Sequence, residues 1–212
     1  MVSIPLKPQY GPTLGRLLEP RWRAARPLTR AAVSAAGGLL LALIVVAALS
    51  LLDAGYSHGG PVPFSFRYRG LYRTAPDPGG YVKVARGSHG RPRDSFAVAP
   101  LRLRPYTGSV TGALPLLAAA YVRSLEARFA GFRLQGEGKT RITTTLSGYD
   151  VRYSALVAGR RLYGRDIFLL PRGAHVRAGV VVEMLTDTRA SVAKPVANQG
   201  VLERPLKTFS FG

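Results

Sequence analysis

No cysteine occurs among the 212 residues, and that absence removes a whole set of chemistries. No disulfide framework can form, even in an oxidising compartment. Thiol nucleophiles and cysteine-built zinc sites are excluded, as is a lipid attached through an N-terminal cysteine. Histidine is scarce, at three residues, and only 11 acidic residues stand against 30 Lys and Arg, for a net charge of +19. Charge is missing altogether from 31–52, AAVSAAGGLLLALIVVAALSLL.

That uncharged run is the most informative stretch of the chain. As a helix rising ~1.5 Å per residue it would reach ~33 Å, enough to cross a hydrocarbon core of ~30 Å. A helix buried in a globular core seldom stays apolar all round for so long. A cleaved secretory signal has an apolar region of about 7–15 residues; this one is longer and follows a 30-residue lead-in. Val46-Ala47-Ala48 and Leu52-Asp53-Ala54 offer small-residue cleavage points, neither of A-x-A form. Lys7, Arg16, Arg21, Arg23, Arg26 and Arg30 precede the run against Glu19 alone, which predicts a cytoplasmic N-terminus. Trp22 among these arginines suits the headgroup zone. The expected organisation is a cytoplasmic Arg/Pro-rich arm (1–30), a transmembrane helix (31–52), a Gly/Pro-rich tether (53–63) and an extracytoplasmic domain (64–212), at a bacterial plasma membrane.

Residues 53–212 are enough for one domain with a real core, and 47% apolar content argues for a folded chain. With no disulfide, packing must supply the stability. Six basic residues and one acidic residue lie before position 53, which leaves 24 and 10 beyond it, a net +14. Such a field draws anionic partners: lipid headgroups, wall polymers or an acidic protein face. Arginine-rich, Ala/Gly/Pro-rich composition is also what a GC-rich genome produces, so both causes stand. Nucleic acid is not expected, because the anchor places the charge outside the cytoplasm.

Phe64, Phe66 and Tyr68 alternate with Ser65, Arg67 and Arg69, the period-two mark of a half-buried strand. Leu71–Thr74 and Tyr81–Arg86 read as further strands around the turn Pro76-Asp77-Pro78-Gly79-Gly80. Ser95–Leu103 is extended, with Pro100 predicting an edge or a bulge. Pro115 marks a first helical turn and Gly131 a left-handed terminator. Between them Leu117, Tyr121, Leu125 and Phe129 form one stripe, so this helix should pack on a sheet. Strands follow at Phe132–Thr145, Tyr149–Val157, Leu162–Leu170 and Val176–Leu185. The middle pair is joined at Ala158-Gly159-Arg160-Arg161, and such short links require antiparallel pairing. Asp187–Pro195 reads as a connection, and a short helix near Val201–Leu206 leads to Phe209 and Phe211 docking on the core.

The expected fold class is α+β: an antiparallel sheet with one long packed helix and a short C-terminal helix, preceded by the membrane helix. This order, with the opening Phe64-Ser65-Phe66-Arg67-Tyr68 and the closing Leu206-Lys207-Thr208-Phe209-Ser210-Phe211, resembles the PsbP-like fold over about 64–212. That family takes its name from an extrinsic lumenal subunit of photosystem II. It includes a eukaryotic Ran-binding import factor and many bacterial lipoproteins and anchored proteins. The resemblance implies binding or assisting other proteins rather than catalysis, and transfers no site residue.

Candidate chemistry is sparse. His58 falls in the tether, His89 in a Gly/Arg loop and His175 at a turn, and no spacing assembles a nucleophile, base and orienting group. Asp150 and Asp166 would stand roughly opposite on one hairpin, either as a carboxylate pair with one raised pKa or, balanced by Arg152 and Arg165, as part of a polar face. Gly136-Glu137-Gly138-Lys139-Thr140 shares only its Gly-Lys-Thr end with a phosphate loop; Arg133 stands where the first glycine belongs and a strand follows, so it is rejected. The remaining functional set is basic. Arg67, Arg69, Lys83, Arg102, Arg104, Arg160, Arg161 and Arg165 lie at outward strand phases or turns and would bind anions if they shared a face. No catalytic residue, metal or cofactor is expected. A non-catalytic accessory module leads, with an anionic lipid or wall-polymer binder and an envelope enzyme as alternatives; another envelope protein or an anionic polymer is the expected partner beside the membrane.

Overall fold

The computed structural model describes residues 27–50, 52–88, 91–103, 110–172, 178–187 and 196–212. Most of the arm, His89, Arg104, His175 and most of the 187–195 connection lie outside them. The chain divides into two units, Met1–Leu51 and Leu52–Gly212.

In the first unit, helix α1 spans Pro27–Ser50. Its described side chains, at 27, 31, 32 and 34–45, are all exposed. Leu39, Leu40, Leu41, Leu43, Ile44 and Val45 leave between 48% and 65% of their surface uncovered. Among the described residues no helix is long and apolar enough to cross a membrane; the longest unbroken run of described side chains in α1 is 34–45.

The second unit is α+β. Strands β1 (Ala54–His58), β2 (Phe64–Tyr68) and β10 (Ser210–Phe211) form one sheet in the order β1-β2-β10. The larger sheet contains β3 (Tyr72–Thr74), β4 (Val82–Ser88), β5 (Arg91–Arg102), β6 (Ala130–Arg141), β7 (Ser147–Val157), β8 (Arg160–Leu169) and β9 (Ala178–Thr186). Its order is β3-β4-β5-β9-β8-β7-β6, antiparallel throughout. Helix α2 (Val110–Arg128) packs on one face of the large sheet; the small sheet and α3 (Glu203–Lys207) cover part of the other.

Two apolar clusters follow from this layering. Phe64, Phe66 and Phe209 meet Phe96, Ile167, Val182 and Met184 between the sheets, with Phe66 and Phe96 ring centres 4.9 Å apart. The period-two reading of 64–68 therefore matches the buried phase of β2, and Phe209 docks as expected. Beneath α2, Leu114, Ala118, Val122 and Leu125 are buried, while Leu117, Tyr121 and Phe129 are half-buried beside them. Of the expected stripe Leu125 lies within the contact face, and Leu117, Tyr121 and Phe129 lie on its flank.

Several boundaries differ from expectation for physical reasons. Residues 54–58 do not form a tether: they pair with β2, Tyr56 opposite Phe66, and this gives the aromatic row an outer neighbour. Helix α2 starts at Val110, so Pro115 lies inside it, with its ring exposed. Gly131, at φ +58, turns the chain from α2 into β6, where the register slips between Ala130 and Arg133. Strand β5 is interior rather than an edge. Pro100 survives there because β4 reaches only to Val98; beyond it, Pro100 pairs with Val180 of β9 alone, and no ladder bond is lost on its other side. The β7–β8 link is a two-residue turn, Ala158 at φ 49 and Gly159 at φ 76, the doubly positive geometry whose twist suits a tight hairpin.

Candidate functional site

Register decides which face each candidate side chain occupies. Directly opposed residues share a face, and neighbours along a strand alternate. Arg165 lies opposite Arg152, and Asp150 opposite Ile167, which places Asp150, Arg152 and Arg165 together. Asp166 lies opposite Val151 in β7 and Glu183 in β9, on the face covered by α2. The two aspartates expected to pair are thus on opposite sides of the sheet.

Arg165 is not an outward cation. It is 4% exposed. Its Nε donates to Asp150 Oδ2 at 2.9 Å, one terminal nitrogen to the Val196 carbonyl (3.2 Å) and Asn198 Oδ1 (3.0 Å), and the other to Thr140 Oγ1 (2.8 Å). Burial lowers its pKa, and the Asp150 carboxylate opposes that shift. This guanidinium ties β6, β7, β8 and the 196–198 segment together. A planar five-donor group can do so where an ammonium cannot.

The other members of the basic set scatter. Arg67 is exposed on the small sheet, its backbone N–H bonded to Thr208 Oγ1, and Arg69 follows just after β2. Lys83 Nζ pairs with Asp77 at 3.1 Å. Arg102 sits at the end of β5, opposite Ala178. At the other end of the sheet Arg160 pairs with Asp187, which also meets Arg93. Arg161 donates to Ser154 Oγ at 3.3 Å. Among the described members, Arg161 and Arg165 share one face of the large sheet and Lys83 lies on the other.

Among the described residues a cluster of titratable groups lies under α2. The Tyr121 hydroxyl is 3.0 Å from Asp166 Oδ2 and 3.0 Å from Glu183 Oε1. A hydroxyl carries one hydrogen, so it donates to one carboxylate and can accept only from a protonated partner. Asp166 is 1% exposed. Burial, then the adjacent Glu183 carboxylate, holds its pKa well above the usual carboxylate range, while the Tyr121 and Tyr153 hydroxyls and the Met184 amide pull it back. A consistent chain is a protonated Asp166 donating to Tyr121 and Tyr121 donating to Glu183. Burial and the same two acids raise the pKa values of both tyrosines. Gly164 faces Tyr153 across the β7–β8 pair, and any side chain there would strike the phenol ring. Asp166 and Tyr153 are buried, and Tyr121 and Glu183 are half-buried. The cluster holds α2 to the sheet.

A half-open cavity of about 540 Å³ lies elsewhere, at the end of the sheet beside the C-terminus. Thr144, Thr145, Ser147 and Ser210 give it hydroxyls, Phe209 and Phe211 give it rings, and Arg172 a cation. Arg172 is anchored by donating to the Thr145 carbonyl at 3.1 Å. His58 belongs to β1, its ring 4.3 Å from that of Tyr81 and 5.1 Å from that of Phe64, so it is a packing residue, not a tether histidine. Among the described residues no group of three His, Asp or Glu could hold a metal ion. Residues 136–140 lie within β6, which agrees with rejecting a phosphate loop there.

Sequence reasoning missed Glu183, Tyr121, Tyr153 and Gly164 as one unit. Tyr121 was visible only as part of an apolar stripe, and nothing local marks Glu183 as the neighbour of Asp166.

No family model matches the chain and no curated protein does. Among solved structures it is similar to LpqN of Mycobacterium tuberculosis, described as involved in cell envelope biogenesis. That match has 8% identity over 75% of this chain and 91% of the other, with a TM-score of 0.46. It is similar also to the Ran-binding protein Mog1p of Saccharomyces cerevisiae, at 8% identity over 76% and 96% and a TM-score of 0.45. A third likeness is to a Pseudomonas aeruginosa protein of unknown function, at 13% identity over 66% and 86% and a TM-score of 0.37. Likeness at this level identifies no family and no activity for the chain.

Proposed function

We propose that the chain is a single-pass protein of a bacterial plasma membrane, with its N-terminal arm in the cytoplasm. Residues 53–212 are then an extracytoplasmic, non-catalytic binding or accessory module. The observation that carries the proposal is α1: a 24-residue helix whose described leucines, isoleucine and valine all lie uncovered. Apolar surface on that scale calls for lipid or a partner, and no charge interrupts 31–52. The arginines before the run support the orientation. The burial of Asp166 and Tyr153 and the hydrogen bonds that join Tyr121 to Asp166 and Glu183 support a structural role for this cluster, which holds α2 to the sheet. Tethering would act by raising the module's concentration near membrane partners without tight intrinsic affinity.

Alkaline extraction of membranes and a reporter fused after Gly212 test this reading. The protein should stay in the membrane pellet, and a reporter that is active only outside the cytoplasm should be active. Recovery of the intact chain in the soluble fraction, or activity only from a cytoplasm-dependent reporter, would overturn it.

A further inference from the structure

The face of the large sheet opposite α2 changes character toward β6. Over β4, β5, β9 and the end of β8 at Ile167 and Leu169 it is apolar; over β6, β7 and the start of β8 it carries arginines. Arg133 lies opposite Ser154, Gly136 opposite Arg152, Arg152 opposite Arg165, and Leu156 opposite Arg161. Arg133, Arg152, Arg161 and Arg165 therefore share one face across three adjacent strands. The acid among them is Asp150, which is 5% exposed and already bonded to Arg165. Glu137 and Lys139 pair with Val151 and Tyr149, which puts them on the opposite face.

Arg152 is the unusual member. Its side chain is 39% exposed, yet its Nε is buried and has no hydrogen-bond acceptor; Asp150 Oδ1 stands 3.9 Å away, too far for one. The guanidinium lies over Gly136, where a Cβ would come within 2.9 Å of its terminal nitrogen. One pair further along, at Gly138, the space above the strand is open. Arg152 also faces Arg165 directly, a like-charge pairing that costs stability unless negative charge lies nearby. Asp150 supplies one such charge for two guanidiniums, and the exposed Arg133 and Arg161 beside them raise the excess.

We propose that this face of β6–β8 binds a phosphate-class anion, with Arg152, seated over Gly136, as the central ligand, Arg133 and Arg161 flanking it, and Gly138 leaving room for its approach. Guanidinium forks match phosphate oxygens two at a time, and three exposed cations suit a ligand carrying more than one negative charge. The open space over Gly138 lets such a ligand come close to the backbone. The site does not rest on the membrane reading, because it involves the second unit alone.

The test uses the full chain in a neutral detergent at ~10 mM ionic strength, where charges act over ~30 Å. Pyrophosphate, short-chain phosphatidylglycerol and acetate are titrated separately by calorimetry. Saturable binding of pyrophosphate, of the lipid, or of both is expected; the arm that saturates assigns free phosphate or a headgroup as the source. Arg152→Gln should weaken binding at least about tenfold, 1.4 kcal/mol. Gly138→Glu keeps every arginine, adds a carboxylate in open space, and should weaken it as much. Arg102→Gln, at a separate end of the sheet, should leave it within about twofold, well under that step. Urea midpoints of both site variants check that they are folded. Absence of saturable phosphate binding by the natural chain, acetate binding as tightly as phosphate, or folded Gly138→Glu binding like the natural chain would overturn the proposal.

Discussion

Replacing Asp166 with Asn should make the protein more stable at neutral and alkaline pH, an unusual result for a buried polar residue at the centre of a hydrogen-bonded cluster. Asp166 is wholly enclosed beside Glu183, and its folded pKa is raised, chiefly by burial and next by that neighbouring carboxylate. In the unfolded chain an aspartate titrates near ~3.9. Between that value and its raised folded pKa the native state binds the extra proton, so stability falls as pH rises through the window. Below ~3.9 both states are protonated and the penalty vanishes. Above the folded pKa it is complete. Each unit of separation costs about 1.4 kcal/mol. An asparagine has no such term, and its amide can donate to Tyr121 as the protonated acid does. Urea unfolding of the detergent-held full chain from pH 4 to pH 9 reads the effect. Because the +19 chain has its own charge repulsion in acid, the informative quantity is the difference between Asp166→Asn and the natural protein. That difference should be smallest at pH 4 and grow in favour of Asn as pH rises. Parallel curves would refute the protonated-acid argument, and so would a variant that loses ground toward pH 9.

Other perturbations follow from the same structure. Tyr121→Phe keeps the ring edge-on to Phe168 at 5.1 Å but removes the hydroxyl shared by Asp166 and Glu183; denaturant unfolding should show a loss of about 2–4 kcal/mol. Gly164→Ala drives a methyl into the Tyr153 ring and should cost about 1–3 kcal/mol as overpacking in the same assay. Ala158→Gly relieves a non-glycine residue at φ 49 and should stabilise by about 1 kcal/mol. Leu41→Arg places a charge midway along α1, at an insertion cost of about 2.5–3.5 kcal/mol; alkaline extraction should then release a measurable fraction of a protein otherwise retained in the pellet.

By itself the amino-acid order determined what depends on near neighbours. The uncharged run at 31–52, the alternation of Phe64 and Phe66, the stripe through Leu125 and the Ala158-Gly159 turn are periodicities or single-residue preferences within a few positions. They are enough to predict an α+β domain whose strands around that turn run antiparallel. Tertiary structure alone decided which face each charged side chain meets. Arg152 and Arg165 look alike in sequence, yet their pairing places one over a glycine at the open side of the sheet and the other inside a four-point hydrogen-bond set. Tyr121, Asp166 and Glu183 come from a helix and two strands spread along the chain, and only the insertion of β9 between β5 and β8 brings Glu183 opposite Asp166. Pro100 seemed to demand an edge because the missing partner strand at its end of β5 is a property of the β4 register, not of the residues beside it. Side-chain phase repeats every two residues, so a one-residue shift in pairing reverses every face. Pairing is settled by contacts across the whole core, which no local stretch encodes.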